Sequence, residues 1–266
     1  MIKSTDEIIN FLEENYLLYN NKSFIENDPI SIPHAYNKKE DIEISAFLTA
    51  TISWGKRTTI INNAKKLMLL MDDSPFDFIK HHSKKDLVPF KKFVHRTFNG
   101  NDCIFFIESL KKIYKNNGGL EKTFFNSGGD NVKSRIINFR KNFLKPKHLS
   151  RSEKHISNPD TNSSSKRLCM FLRWMVRKDN KCVDFGIWKS ISPKELCLPL
   201  DVHTGNISRI LGLLNRTQND WKAVEEITEV LKTFDKNDPV KYDFALFGLG
   251  VNGVLNVGSD FKNRIL

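Results

Sequence analysis

Between residues 165 and 177 apolar side chains recur at Leu168, Phe171, Leu172, Met175 and Val176. Such spacing closes on one face of a 3.6-residue turn, so this stretch can fold into little except an amphipathic helix packed on a core. Lys166, Met170, Arg173 and Arg177 share another face, and Ser163, Ser164 and Ser165 offer N-caps at the start. A connector over 179–199 follows, with Trp188, which we assign to packing as we do Trp174, and two prolines. A second helix is then predicted over 204–214, with Ile207, Ile210, Leu211 and Leu214 inward. The block from about 160 to 215 therefore brings two charged residues, Lys166 and Asp201, to helix starts.

The helical period runs through the rest of the chain. Residues 4–19 carry Ile8, Ile9, Phe11, Leu12 and Leu17 behind the candidate caps Ser4, Thr5 and Asp6. The proline-bearing stretch 27–40 reads as a loop, and a helix with Ile42, Ile44, Phe47, Leu48 and Ile52 ends near Trp54-Gly55. Ile60 to Met71 is again helical, broken by Ser74-Pro75, and 76–100 reads as short helices closing on a turn at Phe98-Asn99-Gly100. Helices over Ile104–Tyr114 and Leu120–Phe125 are separated by Gly118-Gly119, with a further boundary at Gly128-Gly129. Asp220 caps a helix over 220–232, and Asp238-Pro239 opens the last one, which carries Tyr242, Phe244, Ala245, Leu246 and Phe247. No run of β-branched alternation is long enough for a sheet, so the fold class expected is all-α. At 266 residues the chain exceeds one typical core, and two helical lobes are expected.

Lys and Arg number 42 against 31 Asp and Glu, a formal net charge of +11. An excess of that size attracts polyanions, nucleic acid first among them. The stretch 133–151 concentrates it in Lys133, Arg135, Arg140, Lys141, Lys145, Lys147 and Arg151, read either as a solvated helix face or as a surface that tracks phosphates. Cys103, Cys169, Cys182 and Cys197 match no zinc, CxxC or iron–sulfur spacing and read as free thiols. The N-terminus has no signal-peptide core and no run nears the ~20 apolar residues of a membrane span. A soluble cytoplasmic monomer is expected, with no metal and no cofactor.

A lysine amine is a nucleophile once desolvation or positive neighbours disfavour its charged form, and burial near Arg167, Arg173 and a helix N-terminus would act on Lys166 in that way. A carboxylate beside it can stabilise a cationic sugar or move a proton. Each residue also has a plainer reading: Lys166 as an exposed helix-start lysine, and Asp201 as an N-cap. Trp54 can stack on a base or simply pack, and Lys56 and Arg57 are candidate phosphate contacts. His203 reads as fixing the helix start, and Asp243 either lines a pocket or answers a helix dipole.

Pro199-Leu200-Asp201-Val202-His203, within LPLDVHTGNISRILGLL, resembles the signature of the helix–hairpin–helix DNA glycosylase superfamily. Lys166 in SSSKRLCMFLRWM occupies the place of the catalytic lysine of its bifunctional members. The interval from Lys166 to Asp201 is similar to that of the archaeal 8-oxoguanine glycosylase branch, whose closing helix carries an Asp and an aromatic four residues on, as Asp243 and Phe247 do in KYDFALFGLG. FLTATISWGKRTTI resembles the first core helix and the DNA-facing turn after it. The usual LPGVG hairpin is absent; NPDTNSSSK stands there, with Ser163, Ser164 and Ser165 available to phosphate, and no iron–sulfur ligands follow.

The resemblance implies a two-lobed all-α fold with an active cleft between lobes, and a bifunctional DNA glycosylase and AP lyase acting on duplex DNA with an oxidised base, 8-oxoguanine foremost. It implies Lys166 as Schiff-base nucleophile and Asp201 as its carboxylate. Asp243, Phe247, Met170 and Trp54 would form the base pocket, with Lys56, Arg57, Ser163, Ser164, Ser165, Arg167 and His203 on the DNA. The alternatives are a non-catalytic DNA-binding protein on the same scaffold and a monofunctional glycosylase.

Overall fold

A computed structural model describes residues 4–126 and 128–252. In chain order its α-helices are α1 (Thr5–Tyr19), α2 (Lys22–Glu26), α3 (Lys39–Thr51), α4 (Arg57–Leu69), α5 (Pro75–His81), α6 (Gly100–Asn116), α7 (Leu120–Phe125), α8 (Val132–Phe143), α9 (Lys166–Val176), α10 (Val202–Ile210), α11 (Trp221–Phe234) and α12 (Tyr242–Val251). Helix, with the 3-10 turns included, makes up 63% of the described residues and strand 2%, which fixes the class as all-α. Two compact units emerge, one of residues 4–24, 159–186 and 191–252, the other of 25–158 and 187–190.

The unit of residues 25–158 is built on α3, buried from Ile42 to Thr51. Its core is a phenylalanine cluster. Phe47 meets Phe139 edge-on at 5.7 Å, Phe106 meets Phe143 at 4.9 Å, and Phe124 stacks on Phe139 at 3.8 Å. Edge-to-face contacts of this kind are favourable beyond the area they bury. Two buried acids tie loops to that core. Asp102 completes a capping box on α6 with Asn99 and takes Arg151 Nη1 at 2.5 Å and Ser152 Oγ at 2.6 Å. Glu43 accepts Tyr114 Oη at 2.6 Å and Trp188 Nε1 at 2.7 Å, the bond that holds 187–190 in this unit.

In the other unit α12 packs against α1 and α10. Ser4 starts α1 with a capping box to Glu7. Gly248 is required where α12 meets α1, because a Cβ there would lie 2.2 Å from a ring carbon of Tyr19. Asp220 caps α11 through Ala223 N–H and holds Arg216 at 2.5 Å.

Several expectations are corrected. Residues 94–99 form a minimal antiparallel hairpin, β1 (Val94–His95) with β2 (Phe98–Asn99), so Phe98-Asn99 is strand and Asn99 is the cap of α6. The predicted 204–214 helix runs from Val202 to Ile210, leaving Ile210 37% exposed; Leu211, Leu213 and Leu214 stay buried in the turn after it. Pro239–Lys241 is a 3-10 turn ahead of α12, and Asp238 stands at its N-cap position without a side-chain cap bond, its Oδ2 bonded to Arg177.

Candidate active site

The turn into α9 is fixed from outside. Ser163 pairs with Asp220 in an isolated antiparallel bridge, and Trp221 N–H donates to the Asn162 carbonyl at 3.3 Å. Ser165, at the N-cap position, adopts the left-handed conformation (φ 49°, ψ 32°), makes no side-chain cap and is 2% exposed. Neither the capping role nor the phosphate contact expected of Ser165 fits a buried side chain. Its N–H donates to Ser163 Oγ at 3.2 Å, while Ser163 and Ser164 are half-buried.

Lys166 is the first residue of α9, and its side chain keeps 24% of its surface. Asp201 is the N-cap of α10, and its two oxygens have separate duties. Oδ1 accepts Thr204 N–H at 3.0 Å, a cap contact of the kind that contributes about 1 kcal/mol. Oδ2 lies 3.6 Å from Lys166 Nζ, an ion pair rather than a hydrogen bond. Its backbone carbonyl is held as well, accepting Asn219 Nδ2 at 3.0 Å. Asp201 is thus the N-cap of α10 through one oxygen, and its other oxygen faces the Lys166 amine.

Two residues of α12 join the pair. Lys166 Nζ is 5.8 Å from the Phe247 ring centroid, and the exposed His203 meets the same ring edge-on at 6.2 Å. Asp243, one turn earlier, is buried and bonded through Oδ2 to Arg173 Nη1. Burial raises the Asp243 carboxyl to about 6; Arg173 and Lys166 oppose that rise, and Asp201 and Asp184 add to it. Met170 is half-buried one turn after Lys166. Arg167 is also half-buried by surface, yet enclosed enough that burial lowers its guanidinium to about 10.

On the face of α9 that carries Lys166 and Met170, both arginines turn into the protein. Arg173 is 4% exposed and Arg177 wholly buried. The Arg173 guanidinium is bonded to Asp184 (Nε, 3.3 Å) and Asp243. Arg177 holds Asp184 at 3.2 Å, Asp179 and Asp238 each at 2.8 Å, and donates to Tyr16 Oη at 2.7 Å. Sequence reasoning missed this network. Its only signal was a pair of arginines at helical spacing, and the acids answering them come from irregular or distant segments.

Trp54, Lys56 and Arg57 belong to the unit of residues 25–158. Trp54 is half-buried, with its ring edge-on to His95 at 4.9 Å and stacked near His155 at 5.9 Å. His95 Nε2–H donates to the Trp54 carbonyl at 3.1 Å, so its Nδ1 accepts Asn63 Nδ2 at 2.9 Å. Lys56 is exposed ahead of α4 and Arg57 is half-buried as its first residue. Within 133–151, Arg140 pairs with Glu153 at 3.0 Å and Arg151 with Asp102, whereas Lys141, Lys145 and Lys147 stay exposed. That stretch is therefore partly ion-paired and partly an exposed basic face.

Among the described residues no group of three or more His, Cys, Asp or Glu could hold a metal ion, and no helix is long and apolar enough to cross a membrane. The four cysteines are free, Cys103 and Cys169 buried. A family model with the description "Protein of unknown function (DUF2400)" matches residues 28–252. No curated protein and no solved structure matches the chain.

Proposed function

This chain belongs to the DUF2400 family, and on that premise we propose from its own residues that it is a DNA-repair enzyme: a bifunctional glycosylase and AP lyase of the helix–hairpin–helix type. The observation that carries the reading is the pair at the helix starts, Lys166 Nζ 3.6 Å from Asp201 Oδ2, with Asp201 fixed through its other oxygen. A surface lysine has no need of a carboxylate so constrained. Both side chains also remain partly open, at 24% and 22%, so a substrate carbon can reach them.

The chemistry follows from those two groups. The damaged nucleotide is flipped from the stack, since its C1′ is otherwise out of reach. Lys166, as the neutral amine, forms a bond to C1′ while the electrons of the C1′–N bond leave with the base. Asp201 Oδ2 stabilises the cationic sugar as it develops and takes a proton from the attacking nitrogen. Opening of the C1′–O4′ bond gives the iminium. Loss of a C2′ proton to water then breaks the C3′–O3′ bond, so that the downstream strand leaves with a 5′-phosphate end and the unsaturated sugar stays on the upstream strand until hydrolysis of the imine returns Lys166.

Phe247 and Asp243 supply the other half of the reading. The ring offers a stacking face beside Lys166, and the carboxylate offers an acceptor to an N–H edge. An oxidised purine such as 8-oxoguanine carries a donor at N7 where guanine has an acceptor. The proposed partner is duplex DNA, held by the net charge of +11 and by Lys56 and Arg57, with the protein a monomer at the nucleoid.

Strand scission tests the proposal. A 5′-labelled duplex with one 8-oxoguanine is expected to be cut at the lesion by the wild type and left uncut by Lys166→Gln and Asp201→Asn. Equal cutting by wild type and Lys166→Gln would refute the lysine mechanism, and base release without cutting would reduce the enzyme to a monofunctional glycosylase.

A further inference from the structure

We infer that Arg173 is a positioning residue for the proposed reaction: it clamps one oxygen of Asp243 and so presents the other, ionised and unbonded, to the edge of the flipped base. The inference rests on the glycosylase reading and deepens it, by assigning the protonation state of the acceptor to a residue that touches neither sugar nor base.

The geometry is that of a fork held from behind. Arg173 stands two turns along α9 from Lys166, donates Nη1 to Asp243 Oδ2, and lies 4.3 Å from the Phe244 ring centroid. Its Nε donates to Asp184 Oδ1 at 3.3 Å, and Asp184, with no exposed side-chain surface, takes Arg177 on its other oxygen. A guanidinium bonded on two sides and stacked on a third cannot swing away. Asp243 keeps 7% of its side-chain surface, and its Oδ1 accepts no hydrogen bond from a described residue. The site therefore contains an open acceptor at the end of a closed ionic chain.

That arrangement decides what the site can read. An ionised carboxylate only accepts, whereas a protonated one donates, so loss of the clamp would reverse the preference between an N–H edge and an acceptor edge. A buried carboxyl without a cation takes up a proton rather than remain charged. The groups facing Asp243 are Arg173, Lys166 and Cys169 from α9, Asp184 from the connector and Asp201 at the start of α10. From α1, Tyr16 is bonded to Arg177 and Glu13 to Tyr242, and from α10 His203 lies against Phe247. Arg173 is the cation bonded to Asp243.

The test compares two reactions of the same preparations between pH 5 and 9. One is excision of 8-oxoguanine from duplex DNA, read as kcat/KM. The other is borohydride trapping on an abasic duplex, which has no base to recognise. A hydrogen bond to a charged group is worth about 1.5–3 kcal/mol, so Arg173→Gln is expected to lower the ratio of excision to trapping about 10- to 150-fold. Its acid limb for excision should also move to higher pH, and Asp243→Asn should abolish that limb. Arg173→Lys keeps the cation without the two-sided fork; it should lower the ratio by a smaller factor with the limb in place, and it serves where the Gln variant does not fold. An unchanged ratio, or parallel loss of both reactions with the limb unmoved, would overturn the inference while leaving the glycosylase reading intact. Absence of trapping by the wild type would instead remove that reading, and the inference with it.

Discussion

Arg177→Met removes the centre of the buried ionic network without touching the Lys166–Asp201 pair. Arg177 has no exposed surface, and four side chains, Tyr16, Asp179, Asp184 and Asp238, depend on it. Breaking a buried pair by removing one partner costs about 3–5 kcal/mol, because the remaining charge is left desolvated. The guanidinium also lies 5.4 Å from each of the Tyr16 and Phe244 centroids, contacts worth roughly 0.5–2 kcal/mol together. Methionine returns part of that as apolar packing, which leaves a net loss of about 4 kcal/mol. At ~2–4 °C per kcal/mol for a chain of this size, the thermal midpoint should fall by about 8–16 °C at pH 7.5.

The loss should also depend on pH, with a definite sign. Burial pushes the Asp179 carboxyl up, but Arg177 and the hydrogen bonds from Asn20 and Lys181 outweigh it and hold it below the ordinary value. A depressed carboxyl stabilises the fold above its unfolded pKa, and that contribution fades as pH falls through the folded one. Asp238 is already raised, by burial first, with Arg177 as the opposing cation. Without Arg177 both would bind protons more readily, so acid relieves the variant. Thermal unfolding followed by circular dichroism at pH 7.5 and pH 5.0 should show the gap to the wild type narrowing. A shift below about 3 °C, or a gap that does not change with pH, would refute the reasoning.

Asp201→Asn should lose strand scission yet keep its thermal midpoint within about 2 °C, since asparagine caps as well as aspartate, while Asp201→Ala should lose both activity and about 1 kcal/mol; equal stability loss in the two would contradict the division of its oxygens. Asp243, raised to about 6 by burial, binds a proton more tightly folded than unfolded. Its ionisation therefore costs the folded state roughly 3 kcal/mol above pH 6, relieved as pH falls toward 4, and the stability of wild type relative to Asp243→Asn should rise over that window in urea titrations. Gly248→Ala puts a methyl against the Tyr19 ring and should destabilise by about 1–3 kcal/mol, less the ~1 kcal/mol that alanine gains in a helix, an outcome checked by the same titration.

What was legible in the sequence is what local chemistry determines. The apolar period of α9 and the capping chemistry of Asp201 act within a few residues, so both could be read directly. The spacing of Asp243 and Phe247 is likewise one helical turn and places them together on α12. The hairpin over 94–99 escaped because two-residue strands leave no alternation to detect. The ionic network escaped for a different reason. Asp184 sits in an irregular connector, Asp238 lies 61 residues from Arg177, and Tyr16 lies 161 away, so nothing local announces that α9 turns its arginines inward. Trp188 is packed, as its sequence suggests, while its partner Glu43 is 145 residues distant, so its place in the unit of residues 25–158 has no sequence signature.

In the proposed mechanism Lys166 is the nucleophile and Asp201 its partner carboxylate. Borohydride reduction of the protein with an abasic duplex, followed by proteolysis and mass spectrometry of the cross-linked peptide, tests it most directly. One adduct is expected, on the Lys166 side chain, lost in Lys166→Gln and strongly reduced in Asp201→Asn. An adduct on any other lysine, or one that persists without Lys166, would contradict it.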